Sequence, residues 1–284
     1  MGRLFNRAVK VTISKPSGEN FFGADANRIE ISKLRVAFEL EKTLRKQPNN
    51  GHVVITNLSE QTRGFLKEPG LRIRLEAGYE DETRQIFYGD IRFSQSLRKG
   101  TEWETRIDLG DGERAYRYAR VNRSFKAGAK VSDALRDVAA QMGLTLPASV
   151  SDAELQTEFA SGLSLYGPAQ SELSKLLAPY GYDWSIQDGE LLILKNGSTR
   201  AREIVLVSPL TGMIGSPEFA APTKKKQKPV LTVRTLINAD IVPGGRILVK
   251  SANISGVFKV LKCNHAGDTH EKDWFTLAEA KAIN

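Results

Sequence analysis

Gly245 to Ala278 reads GRILVKSANISGVFKVLKCNHAGDTHEKDWFTLA, and its apolar spacing decides what kind of fold the chain makes. Ile247 and Val249 alternate with Leu248 and Lys250 until Ile254-Ser255-Gly256 interrupts the run. Val257 to Cys263 is rich in β-branched and apolar types, a polar break runs from Ala266 to Glu271, and Trp274-Phe275-Thr276-Leu277 closes the stretch. Short apolar runs separated by Gly, Asn and Asp spell antiparallel strands joined by turns, here a three-stranded meander.

An echo of this stretch lies far upstream. Leu71-Arg72-Ile73-Arg74-Leu75 alternates strictly, a turn follows at Gly78 to Glu82, and Ile86 to Phe93 is a second run containing Gly89. A polar break at Arg98 to Thr101 then leads to Trp103-Glu104-Thr105-Arg106-Ile107-Asp108-Leu109. Read as a repeat, the two meanders are one β-domain used twice. That reading sets Leu71–Leu75 with Ile247–Ser251, Gly89 with Gly256, and Trp103 with Trp274.

A chain of 284 residues has room for two domains and a third small one. Its 40% hydrophobic and 26% charged content is that of an ordinary globular protein. No apolar run reaches bilayer-spanning length, so no membrane partner is expected. Met1 to Lys10 has no apolar stretch behind its basic residues and does not read as a secretory signal. A single cysteine gives no disulfide framework and suits a reducing compartment. The net charge of +8 would fit nucleic acid, but the surplus is scattered. Its one dense cluster, Lys224-Lys225-Lys226-Gln227-Lys228 between Pro222 and Pro229, reads as an exposed loop with no aromatic residue for base stacking.

Taken in order, Val9–Ile13, Ile29–Ile31, Leu34–Leu40 and His52–Leu58 read as strands, with Gln47 to Gly51 as a turn. Ser59 is placed to cap a short helix running to about Leu66. With the upstream meander this gives a first β-domain, 1–119, whose many short strands favour a barrel or sandwich. The middle, 120–200, is built differently. Ser132 starts a helix with Leu135, Val138, Ala139 and Met142 on one face, ended by Gly143, and Leu144–Leu146 follows as a strand. Pro168 suits the first turn of a second helix carrying Leu173, Leu176 and Leu177. Asp188-Gly189 between the runs Tyr182–Ile186 and Leu191–Leu194 is a strong hairpin signal. Glu203–Ser208, Val230–Leu236 and the closing meander make a second β-domain, 201–284. The fold class is α+β and mainly β, two β-domains with a small α/β domain between them. Segment 113 to 125 could pair with either β-domain.

Chemistry-bearing sets are sparse. Cys263, His265, Asp268 and His270 are the one dense group of potential metal ligands, but a structural zinc site wants four ligands and a second Cys or His pair is missing. A Cys263–His265 nucleophile pair lacks any sign of an oxyanion hole. Glu102 with Glu104 and Asp108 with Asp111 could supply a carboxylate pair, yet near turns they read as solvated. Tyr116 and Tyr118 among Arg114, Arg117 and Arg120 could touch RNA, and an edge strand accounts for them as well. No phosphate-binding glycine loop is present. No catalytic, cofactor or metal residue is assigned.

Four segments resemble the baseplate hub proteins of phage tails, the family that includes the late control protein D group. They are Pro48-Asn49 with Val54 to Ser59; Val131 to Leu135 with Met142-Gly143-Leu144; Gly181 to Ile186 with Asp188-Gly189 and Leu191; and Ser208 to Glu218 with Gly267 to His270 and Asp273-Trp274. The resemblance implies two tube-like β-barrel domains per subunit and a homotrimer, a ring of six similar domains that adapts a six-fold tail tube to a three-fold central spike. It implies a non-enzymatic structural protein of a phage tail baseplate, or of a related contractile particle, a virion component assembled in the host cytoplasm. Its partners would be the spike, the tail tube or distal tail proteins and the tape measure protein, with no specific nucleic acid. The alternatives are a cell-wall-degrading hydrolase of the tail tip and a nucleic-acid-binding β-barrel protein.

Overall fold

In a computed structural model, which describes residues 6–15, 28–80, 82–220 and 229–283, the alternating runs of the first part become strands. They are β1 (Arg7–Ser14), β2 (Arg28–Ile31), β3 (Val36–Thr43), β4 (Asn49–Thr56), β5 (Arg72–Tyr79), β6 (Glu82–Lys99) and β7 (Glu102–Asp111). In β3 the period of two is plain: Val36, Phe38, Leu40 and Lys42 are buried and the residues between them are not. Helix α1 (Glu60–Phe65) begins as expected, with the Ser59 hydroxyl accepting the Thr62 N–H at 3.1 Å. The expected turn at Gln47 to Gly51 is shorter, because Asn50 and Gly51 pair with Glu41 and Leu40. The lysine cluster Lys224–Lys228 lies outside the described residues.

Leu44–Asn49 and Asp111–Ser198 form a compact unit of their own. It contains α2 (Glu113–Arg117), β8 (Arg120–Phe125), α3 (Val131–Gln141), β9 (Leu163–Pro168), α4 (Ala169–Leu177), β10 (Tyr182–Gln187) and β11 (Glu190–Lys195). The hairpin β10–β11 turns on Asp188 and Gly189, both at positive φ (57° and 79°), the conformation that the Asp-Gly pair favours. Two expectations change here. Ser132 sits inside α3 rather than capping it, since the first N–H, that of Val131, goes to the carbonyl of Thr157 at 3.0 Å. Leu144–Leu146 is not a strand. Gly143 turns left-handed (φ 67°), and the N–H groups of Gly143 and Leu144 return to Ala140 and Ala139, so Leu144 is spent closing the helix. Segment 113–125 is settled as α2 and β8, the latter pairing with β9. Leu135, Val138, Leu173, Leu177 and Trp184 are buried together in the core of this unit.

The last part supplies β12 (Val205–Val207), β13 (Met213–Ala220), β14 (Val230–Leu236), β15 (Arg246–Lys250), β16 (Ser255–Asp268) and β17 (Trp274–Ala282). These strands and β1–β7 share one 13-stranded sheet. The fold is mainly β with few helices, as expected. Its strands run as one open path ending at β13 and β2, with β15 and β12 attached to the side of β16, and barrel closure is not among the described pairings. What joins the halves is an antiparallel ladder between β3 and β16, from Ala37–Asp268 to Thr43–Lys262.

Each half repeats one order. The first runs β3-β4-β7-β6-β5-β1 and the second β13-β14-β17-β16-β15-β12. They differ at the end, where β1 meets β5 antiparallel and β12 meets β15 parallel. Both meanders also carry an irregularity at the same place, between Ile91 and Phe93 on β6 and between Val260 and Lys262 on β16. Counted from it, Asp108 corresponds to Glu279, and Trp103 precedes the one by as many residues as Trp274 precedes the other. The tryptophans therefore match. The glycines do not, and Leu71–Leu75 falls on Gly245–Val249 rather than on Ile247–Ser251, because the last rung of β5–β6, Arg72–Asp90, corresponds to Arg246–Lys259 and sets Gly89 against Phe258. Gly89 is needed for its own reason: a side chain there would start 2.7 Å from the carbonyl oxygen of Gly110.

Candidate functional site

Cys263 and His265 lie on one buried face of β16, with Sγ 3.7 Å from Nε2. The other imidazole nitrogen, Nδ1, is 2.9 Å from the hydroxyl of Thr276. Burial, and then the charge of Lys42, push the His265 imidazole down to about 3. Its ring is neutral at ordinary pH, and both of its nitrogens have partners inside the sheet.

Asp268 and His270 are turned to other work. Arg35 donates to the Asp268 carboxylate from Nε at 3.3 Å and from Nη2 at 2.8 Å, and also reaches Glu271. The N–H groups of His270 and Glu271 donate to Asp268 Oδ1 at 2.8 and 3.2 Å, and Arg7 Nη1 to the Asp268 carbonyl at 2.8 Å. Burial alone would raise the Asp268 carboxyl, but the Arg35 and backbone hydrogen bonds hold it below the usual value. His270 is bonded to Thr269. Among the described residues no three His, Cys, Asp or Glu side chains gather as metal ligands. Because Asp268 is the last rung of the β3–β16 ladder, this constellation clasps the junction of the two halves.

The carboxylates proposed as pairs are separated by partner. Glu104 pairs with Lys99, and Asp108 with Arg106 at 2.9 Å. Asp111 is a correction: it is fully buried, not solvated. Its Oδ2 and Oδ1 accept the N–H groups of Asp188 and Gly189 at 2.6 and 2.9 Å. Asn49 Nδ2 donates to it at 3.3 Å and to the Ile186 carbonyl at 3.1 Å. These contacts pin the β10–β11 turn inside the middle unit. Tyr116 is likewise not on an edge strand, but on α2, buried and stacked on Trp184 with ring centres 5.4 Å apart. Tyr118 stays exposed. A cavity of about 540 Å³ in this unit is lined by Arg120, Arg123, Gln141 and Tyr166, and no carboxylate is among its lining residues. No described helix is long and apolar enough to cross a membrane.

The exposed apolar side chains mark the surfaces left to function. Phe93 and Leu97 project from β6, Ile214 and Phe219 from β13, and Leu206 from β12. β13 ends the sheet path, and β12 pairs only with β15 among the described strands. The sequence signalled neither β13 nor the length of β6. Gly215-Ser216-Pro217 breaks the alternation of β13, and the ladder to β14 shifts between Ile214 and Glu218. These edges, unpaired among the described residues and suited to strand addition, are the candidate functional site.

The comparisons with known proteins agree with this architecture. A family model described as "Baseplate hub gp41" matches residues 8–255. No curated protein matches the chain. Among solved structures, a tail protein from Neisseria meningitidis MC58 is similar with a TM-score of 0.61 at 12% identity, covering 98% of this chain and 97% of that one. The prophage MuSo2 43 kDa tail protein from Shewanella oneidensis gives 0.64 at 8% identity, covering 96% and 97%. A chain of the lidded Francisella PdpA-VgrG complex gives 0.62 at 8%, covering 99% of this chain and 54% of that one.

Proposed function

The chain belongs to the baseplate hub gp41 family, and from that membership we propose that it is the trimeric hub of a phage baseplate. It is a structural component of the virion tail. In the proposed assembly three copies form a ring, and the two β-halves of each copy act as successive tube-like domains around it. Six similar domains mate with a six-fold tail tube, or distal tail proteins, on one side. The same ring, three-fold by composition, receives the central spike on the other. The tape measure protein is a further partner, the hub is assembled in the host cytoplasm, and it carries no enzymatic activity of its own.

The observation that carries the proposal is the repeat of one strand order in both halves, with matching irregularities on β6 and β16 and matching tryptophans. A subunit with two like domains makes three copies resemble six. The test is the native mass of the purified protein, alone and with its spike. Three copies per particle are expected, and one or two copies in both conditions would overturn the reading.

A further inference from the structure

The junction inside the chain has a half-built counterpart. On β16, Ser255–Lys259 pairs with β15 and Lys262–Asp268 pairs with β3. β6 is laid out alike: Glu82–Asp90 pairs with β5, and among the described residues Phe93–Lys99 has no ladder on the side away from β7. Lys262–Asp268 and Phe93–Lys99 both start just past the shared irregularity and are equally long. The strand that covers the first is β3, the neighbour of β4. The strand in the same place in the second half is β13, the neighbour of β14, and among the described residues β13 has no partner on its other side.

We infer that the seam between neighbouring copies is an antiparallel ladder between Phe93–Lys99 of one copy and β13 of the next. This inference rests on the ring reading above. Each chain carries one of each edge, seven steps apart along its own strand order. Contact between unlike edges repeats in one sense and closes as a ring when the rotation allows. Phe93 and Leu97 are 57% and 52% exposed, Ile214 and Phe219 37% and 49%. Apolar side chains on open edges are a liability that a partner strand removes.

The register follows from the in-chain junction. The Trp103 carbonyl accepts the Asn57 N–H, and Phe275, the residue after Trp274, pairs with Leu236, so Asn57 corresponds to Ile237. Counting back, His52 corresponds to Thr232 and their ladder partners Glu39 and Glu218 to one another. Glu39 faces Ala266, whose counterpart on β6 is Leu97. Glu218 of one copy is thereby set opposite Leu97 of the next.

The test is the double variant Leu97→Cys/Glu218→Cys, oxidised or treated with a short bis-maleimide, beside a control pair Glu30→Cys/Glu218→Cys. Directly opposed residues on neighbouring strands bring their Cβ atoms within about 5 Å, so a covalent trimer is expected from the first pair and none from the control. A particle of three copies by native mass that yields no covalent trimer overturns the seam and leaves the ring reading standing. A protein of one or two copies, alone and with its spike, overturns both. Hydrogen exchange on the unmodified trimer gives an independent readout. Amides of Phe93–Lys99 and Met213–Ala220 should exchange as slowly as those of Lys262–Asp268, and fast exchange in either segment overturns the seam.

Discussion

Lys42 stands directly across the β3–β16 ladder from Cys263, and both side chains are shut away from water. Lys42 Nζ donates to the Ile86 carbonyl at 3.2 Å. A buried cation beside a buried imidazole disfavours a second positive charge, and that fixes how the junction responds to acid.

His265 is held far below its unfolded value of 6.5, at about 3. A base with a depressed folded value binds its proton more readily when unfolded. Its contribution to stability is therefore whole above pH 6.5 and is lost as pH falls toward 3. Melting temperatures of wild type and His265→Gln across that window check this. The variant should lose less stability on acidification, and parallel curves would refute it.

Purified protein should carry no stoichiometric zinc, because His265 and Asp268 spend their donor atoms within the sheet and on Arg35. Metal analysis of wild type and Cys263→Ser decides the matter. One zinc per chain, lost together with stability in the variant, would contradict this.

Replacing Asp268 with Ala should loosen the clasp at the end of the β3–β16 junction. It strips Arg35 and the N–H groups of His270 and Glu271 of their acceptor, which costs about 1–3 kcal/mol. The depressed Asp268 carboxyl adds a pH dependence in wild type, with stability full above about 3.8 and falling below it. Chemical denaturation at pH 7 and pH 3.5 reads both: the gap between wild type and variant should narrow at the lower pH.

In the middle unit, Asp111→Ala should cost about 1–3 kcal/mol for each buried donor it orphans at the β10–β11 turn. Gly112→Ala should also destabilise, by about 1–2 kcal/mol from its left-handed backbone alone (φ 69°). Its new Cβ would in addition start 2.6 Å from Ile186 Cδ1. An unchanged melting temperature for either variant would show that the turn is held by other contacts.

What the sequence disclosed follows the range of the forces involved. The β10–β11 hairpin, the Ser59 cap and both meanders were legible because turn chemistry and period-two patterning act within a few residues. The β3–β16 ladder was not, since it joins residues such as Leu40 and His265 with no local signal between them. Asp111 looked solvated because its partners, Asp188 and Gly189, come from a hairpin far along the chain. β13 was hidden by Gly215 and Pro217, and the edges mattered only once neighbouring strands were known.

The match of Trp103 with Trp274 is one of position and not of surroundings. Trp103 is 36% exposed beneath the Arg63 guanidinium, and Trp274 is buried edge-on to Phe38. Encoding both copies in one polypeptide is what permits this divergence. In a ring of six identical chains every substitution is written six times, so the ring cannot hold a mark of lower symmetry. Here a change at one tryptophan leaves the other untouched, so in the proposed ring of three copies alternate positions can be inscribed differently while the strand order stays common to all.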